Sequence, residues 1–243
     1  MNATVARLTA RSVLGRRRAL LLLALPAVVL LLAVISRSLA GQDPDHTVVL
    51  LGGFALGTLI PLLGLIAGTG AIGPEIDDGS IVYLLAKPLR RSSIIHSKLA
   101  VAVGIVAVFG ALPTFAAGIV LSGMSDRLAV AYGLGALVAG IAYCALFLAL
   151  AVVTRHAVVV GLLYALIWES LVGNLVPGAR ALSIQQWALV FTEEVVGTSR
   201  SEELNIDPAV GLGASIPLLL VVAVGFTWYA GQRLRSLRLS SDE

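Results

Sequence analysis

Charge is what this sequence has least of. Only 13% of its 243 residues are Asp, Glu, Lys or Arg, about half the ~25% a water-soluble domain carries, and that deficit excludes an ordinary soluble fold. A single cysteine, Cys144, excludes an intramolecular disulfide and a paired-cysteine metal site. Three histidines, His46, His96 and His156, fall in or beside loops on different sides of the topology derived below, so they cannot share one metal. The sequence has no G-x-x-x-x-G-K-[ST] phosphate loop, no H-E-x-x-H and no G-x-S-x-G. It therefore shows no catalytic constellation and no energy source of its own. We expect no catalytic, metal or cofactor-binding residues in the chain, and no enzyme activity.

What the sequence has is apolar length. The apolar share is 58%, and the charges left are bunched between long runs. A hydrocarbon core of ~30 Å takes about 20 helical residues to cross, so the chain has room for about six spans and no sizeable soluble domain. The runs place them at 19–39, 47–72, 99–123, 128–153, 157–176 and 209–231, within one domain over 1–243. Backbone polar groups in lipid must be satisfied within the segment, so each span is expected to be a helix and the fold all-α. Pro26, Pro61, Pro113 and Pro217 predict kinks. Gly53/Gly57 and Gly64/Gly68 are small-x-x-x-small steps that permit close helix approach, with core packing as their plainest use.

Lysine and arginine set the orientation. With these spans, 13 of the 17 basic residues fall on the side of the two termini and four (Arg37, Arg127, Arg180, Arg200) on the other. Both termini are thus expected in the cytoplasm. Net charge +3 then reads as basic loops at an anionic membrane face, with no nucleic acid as partner. The preponderance of Arg over Lys suggests a GC-rich genome and a bacterial inner membrane. Ser38-Leu39-Ala40 before Gly41 imitates a signal-peptide cleavage site, but the apolar run from Ala19 to Ile35 exceeds an h-region, and the segment is kept as a span.

Two loops exceed mere connections. The cytoplasmic loop 73–98 carries Glu75, Asp77, Asp78 and Ser80 as acids and caps, then Ile81, Leu84 and Leu85 at helical spacing, then Lys87-Pro88 and Arg90-Arg91. This predicts a short amphipathic helix whose apolar face is exposed in the isolated chain and docks a protein; its acids suit an anionic leaflet poorly. The external loop 177–208 contains Ser183 and Gln186 in a capping-box pattern, followed by Ile184, Trp187, Ala188, Phe191 and Val195 at helical spacing. An amphipathic helix dipping into the outer interface is expected there, with Trp187 as an interfacial anchor. The first eighteen residues predict an interfacial basic helix with Arg7, Arg11 and Arg18 on one face. Glu169 is the one acid inside a span. An ionisable group at depth points to a pathway or gate; the alternative is a carboxyl hydrogen-bonded to a neighbouring helix or near the outer face.

The stretch Glu75, Gly79-Ser80, Leu84-Leu85-Ala86-Lys87-Pro88, Arg90-Arg91 and Lys98 resembles the coupling-helix region of type-2 ATP-binding-cassette exporter permeases, with Ser80 where Thr is commoner in that family. The six-span layout extends the resemblance over the whole chain. The run from Ile76 to Pro88 looks most like the permease branch serving nitrous-oxide-reductase maturation. The resemblance implies an exporter permease that works as a homodimer or with a paired permease, and that couples through Glu75, Asp77, Asp78, Gly79, Ser80, Ile81, Leu84, Leu85, Lys87, Pro88, Arg90 and Arg91 to separate ATPase subunits holding ATP and Mg. Membrane lipid is the other expected partner. The rival reading is a non-transporting membrane scaffold or assembly factor that anchors a soluble partner through the same loop.

Overall fold

The computed structural model describes residues 3–81, 83, 91–123, 127–172 and 177–236, and among them every regular element is helical. Helix α1 is Ala3–Val13 and α2 is Arg16–Ala40. α3 runs Pro44–Asp77, α4 joins Arg91–Val106 through Ala107–Ala111 to Leu112–Ser122, and α5 is Leu128–Val153. α6 joins Ala157–Leu163 to Tyr164–Val172, and α7 is Pro177–Arg180. α8 is Ile184–Val196, α9 is Thr198–Glu203 and α10 is Leu212–Ser236. Five of these, α2, α3, α4, α5 and α10, are long and apolar enough to cross a membrane. The chain is a multi-pass membrane protein. The described part of the expected fifth span, α6, is shorter than these five.

α5 is the axle of the bundle: it packs on α3, α4, α8 and α10, and its large side chains Tyr132, Tyr143 and Phe147 are fully buried. Small residues allow the approach. A Cβ on Gly64 would lie 2.7 Å from Tyr143 Cβ, and one on Gly68 would lie 3.0 Å from both the Cys144 carbonyl and Phe147 Cβ. That pair of α3 glycines is therefore a packing seam against α5. Gly53 faces open space, and a Cβ on Gly57 would meet the Gln185 side chain first, at 3.0 Å.

Proline placement explains an irregularity of winding. Val49–Leu59 in α3, Ala107–Ala111 in α4 and Tyr164–Val172 in α6 are wound as π-helix. The first two run directly into Pro61 and Pro113. A proline ring lacks an N–H and crowds the carbonyl four residues back, and a widened preceding turn gives it room without breaking the helix. Pro26 and Pro217 sit inside helices that likewise continue past them.

α1 departs from the expected eighteen-residue basic helix. It ends at Val13, and Arg18 belongs to α2, so the three arginines do not share one helical face. Val5, Thr9 and Val13 are buried and α1 packs on α4 and α3, leaving Arg7 and Arg11 exposed.

Candidate coupling face and a buried acid

The start of the basic loop is built on the last turns of α3. That helix carries on through Glu75 and Asp77, so these acids end a span; they do not open the next helix as caps. Carboxylates at a helix C-terminus face the unfavourable end of its dipole, and for Glu75 the compensation comes from α4. Lys98 is fully buried. Its ammonium donates to Glu75 Oε1 at 2.6 Å, to the Ala71 carbonyl at 2.6 Å and to Thr9 Oγ1 at 3.5 Å. One side chain of α4 thus ties α3 and α1 together. Glu75 Oε2 is buried beside it without a hydrogen-bond partner.

Beyond the clamp the chain turns. Asp78 accepts the Ser80 N–H at 2.9 Å, and Gly79 between them has φ +72°, the left-handed region that glycine enters without strain. Hydrogen bonds from Ser80, by hydroxyl and N–H, hold the exposed Asp78 carboxyl below the usual carboxylate range. Asp78 is therefore the true cap of this turn. Ile81, expected on the exposed docking face, is 7% exposed and belongs to the protein's own core; Tyr83 is the exposed side chain here. Leu84, Leu85, Lys87, Pro88 and Arg90 lie outside the described residues, and Arg91 opens α4. The turn between α5 and α6 comes to the same end, where Arg155 and His156 share a cavity of about 160 Å³ with Asp77 and Thr69.

At the opposite end, Glu169 is 1% exposed. Its Oε1 accepts the Tyr164 hydroxyl at 3.0 Å and the Ile184 N–H at 3.1 Å, and its Oε2 accepts the Ser183 hydroxyl in a short bond. Ser183 is the N-cap of α8 and accepts the Gln186 N–H. The acid therefore caps α8, where a carboxylate meets free N–H groups and the positive end of the helix dipole.

α8 itself is not an anchor lying in the outer interface. Ile184, Trp187, Ala188 and Val190 are buried and the helix packs on α5. The Trp187 indole donates to the Ala181 carbonyl at 2.7 Å, inside the protein and away from the aromatic belt. Gln185 donates to the Gly52 carbonyl of α3 at 2.9 Å, and Thr192 to the Ala131 carbonyl of α5 at 3.4 Å. The capping box is half formed: Gln186 accepts the Ala209 N–H in place of the N-cap amide.

Sequence reasoning found Glu75, Lys98, Glu169 and Ser183 but did not pair them. Thr9, Tyr164 and Gln185 were missed, since isolated hydroxyls and amides carry no spacing signal. No group of three metal-ligating side chains occurs among the described residues. A family model described as ABC-2 family transporter protein matches residues 28–230. Among curated proteins no match was found.

Proposed function

The chain belongs to the ABC-2 family of transporter proteins, and from that premise we propose that it is the permease half of an ATP-driven exporter, a dimer served by separate ATPase subunits. The observation that carries the reading is the clamp beneath the basic loop. The loop that resembles a coupling helix leaves α3 one turn after Glu75, and Lys98 binds that turn to α4 and α1. A push on the loop is thereby delivered to three helices together.

In this reading the basic end is cytoplasmic, all six apolar helices cross the bilayer, and ATP closes the partner subunits against the loop. α3 and α4 tilt with α1 and carry α5 along the Gly64/Gly68 seam, opening the pathway on the far side. α2 and α6, with exposed rows such as Leu20, Leu23 and Leu31 on one and Val158, Val159 and Leu162 on the other, are the faces left for the second protomer. Glu169 enters as a positioning residue that holds α8 to α6. Within the family we place the chain nearest the permeases of nitrous-oxide-reductase maturation; complementation of a strain lacking such a permease, read as copper in its reductase, tests that placement.

The test of coupling is the double change Leu84→Ala and Leu85→Ala. A large apolar side chain fully buried against a partner is worth roughly 1.5–3 kcal/mol, and two of them correspond to at least about a hundredfold in affinity. The variant should insert and dimerise normally but lose the ATPase on co-purification, or hydrolyse ATP without transport. Normal co-purification together with normal transport would remove the loop as the coupling element.

A further inference from the structure

Two tyrosine hydroxyls inside the bundle take no part in the clamp or in the cap of α8. Tyr132 and Tyr143 stand on one face of α5, about three helical turns apart, and both side chains are fully buried. Among the described residues neither hydroxyl has a hydrogen-bond partner. A buried hydroxyl without a partner is costly, and a phenylalanine would fill either space without that cost.

What each hydroxyl faces accounts for it. Tyr132 lies against Gly52 of α3: a Cβ on that glycine would be 3.3 Å from the Tyr132 hydroxyl. A carbonyl has two lone pairs, and one within a helix commits the first to the ladder; at Gly52 the Gln185 side chain of α8 bonds the carbonyl as well, at 2.9 Å. Tyr143 is faced by Glu169, Tyr164 and the α8 backbone at Gln185. Here too α8 holds the acceptor, since two of the three donors to Glu169 are the Ser183 hydroxyl and the Ile184 N–H. Both partnerless donors of α5 thus stand beside an acceptor that the first turn of α8 occupies, one on α3 and one on α6.

We infer that the N-cap and first turn of α8, Ser183 to Gln185, exchange with the two tyrosines: when this turn lifts, Tyr132 donates to the Gly52 carbonyl and Tyr143 to Glu169, so that neither acceptor is stranded. The hydroxyls raise the free energy of the seated state and lower that of the lifted one, which keeps the turn releasable although Ile184 and Trp187 are buried. The exporter reading puts the opening at this end of the bundle, but the exchange needs no ATPase and does not rest on that reading.

Amide hydrogen exchange of the full chain in detergent micelles, read by mass spectrometry over residues 183–190, follows the lifting directly. The reporting amides are those of Ile184, bonded to Glu169, and of Gln186 and Trp187, bonded to Ser183. Tyr132→Phe and Tyr143→Phe remove only the hydroxyls. Each should slow exchange of these amides by at least about fivefold, the lower end of what an unpartnered buried group costs. The two effects should multiply in the double variant, because the acceptors are separate, and exchange in α9 should stay as in the parent. Unchanged exchange in either variant, or no exchange of the turn in the parent over a day, would overturn the proposal. Faster exchange would show that the hydroxyls hold α8 down, and equal slowing in α9 would show a plain gain in overall stability; either result overturns it too.

Discussion

Lys98 and Glu169 are both ionisable groups buried among helices, yet each is given partners by a different piece of chemistry, and the difference sets what their variants should do. Lys98 is half of an ion pair with Glu75 at 2.6 Å. Breaking a buried pair by removing one member costs about 3–5 kcal/mol because the other charge is stranded, whereas replacing both is often near neutral. Lys98→Met should therefore lower the thermal stability of the purified chain and loosen α1, read as faster proteolysis near residue 14; adding Glu75→Gln should restore most of the loss. Equal stability of the single and double variants would show that the pair does not hold α1. Glu169 is held by three neutral donors. Glu169→Gln keeps an acceptor for the Ile184 N–H and should cost about 1 kcal/mol, the scale of a weakened cap. Glu169→Ala strands that N–H and the Ser183 hydroxyl at about 1–3 kcal/mol each. If Glu169 positions α8, Gln should leave transport near normal while Ala frees the helix to react with a thiol reagent at a cysteine placed at Trp187. A large transport defect in Glu169→Gln with α8 still protected would return the acid to the pathway.

At the scale of elements the glycine steps separate a pattern from its use. Gly64→Ala must push Tyr143 Cβ from 2.7 Å, and overpacking of this kind costs typically about 1–3 kcal/mol. Gly53→Ala meets nothing within 4 Å and should be neutral or stabilising by up to about 1 kcal/mol, since alanine is the better helix former. Detergent melting curves of the two variants check the contrast, and equal shifts would sink it. The sequence offered both glycine pairs at the same spacing; which one meets α5 depends on helix rotation, and periodicity does not encode rotation in a helix that is apolar all round. The apolar runs announced the long helices because lipid leaves the backbone no other choice. The π-wound turns were illegible because apolar run length does not report local winding: two of the three run into Pro61 and Pro113, where the sequence predicted only kinks. α8 shows a further limit. Its apolar stripe was plain, but Trp187 was assigned to lipid because a stripe does not say whether protein or membrane covers it. Gln185 and Thr192, both polar and both bonded to backbone carbonyls of other helices, are what make the protein the answer.

For the molecule as a whole, the two ends differ in charge in a way the fold makes testable. α1, the turn after Asp78, the turn at Arg155 and the end of α10 all lie at the basic end, while Asp43, Arg127, α8 and α9 lie at the other. Asp43 caps α3 there, its carboxyl held below the ordinary range by the His46 ring and then the Asp45 N–H. In the proposed topology the basic end is cytoplasmic, as the positive-inside rule expects. Burial decides which positions can report this. Ser201 lies in α9 at the far end, but it is buried and bonds the Thr198 carbonyl, so a cysteine there would stay silent in either orientation. Ser199 and His156 are exposed at opposite ends, and the native Cys144 is buried and adds no background. In intact cells a membrane-impermeant maleimide should label Ser199→Cys and spare His156→Cys until the membrane is opened. If His156→Cys reacts from outside and Ser199→Cys does not, the chain is inserted the other way round, and the loop after α3 faces away from any cytoplasmic ATPase.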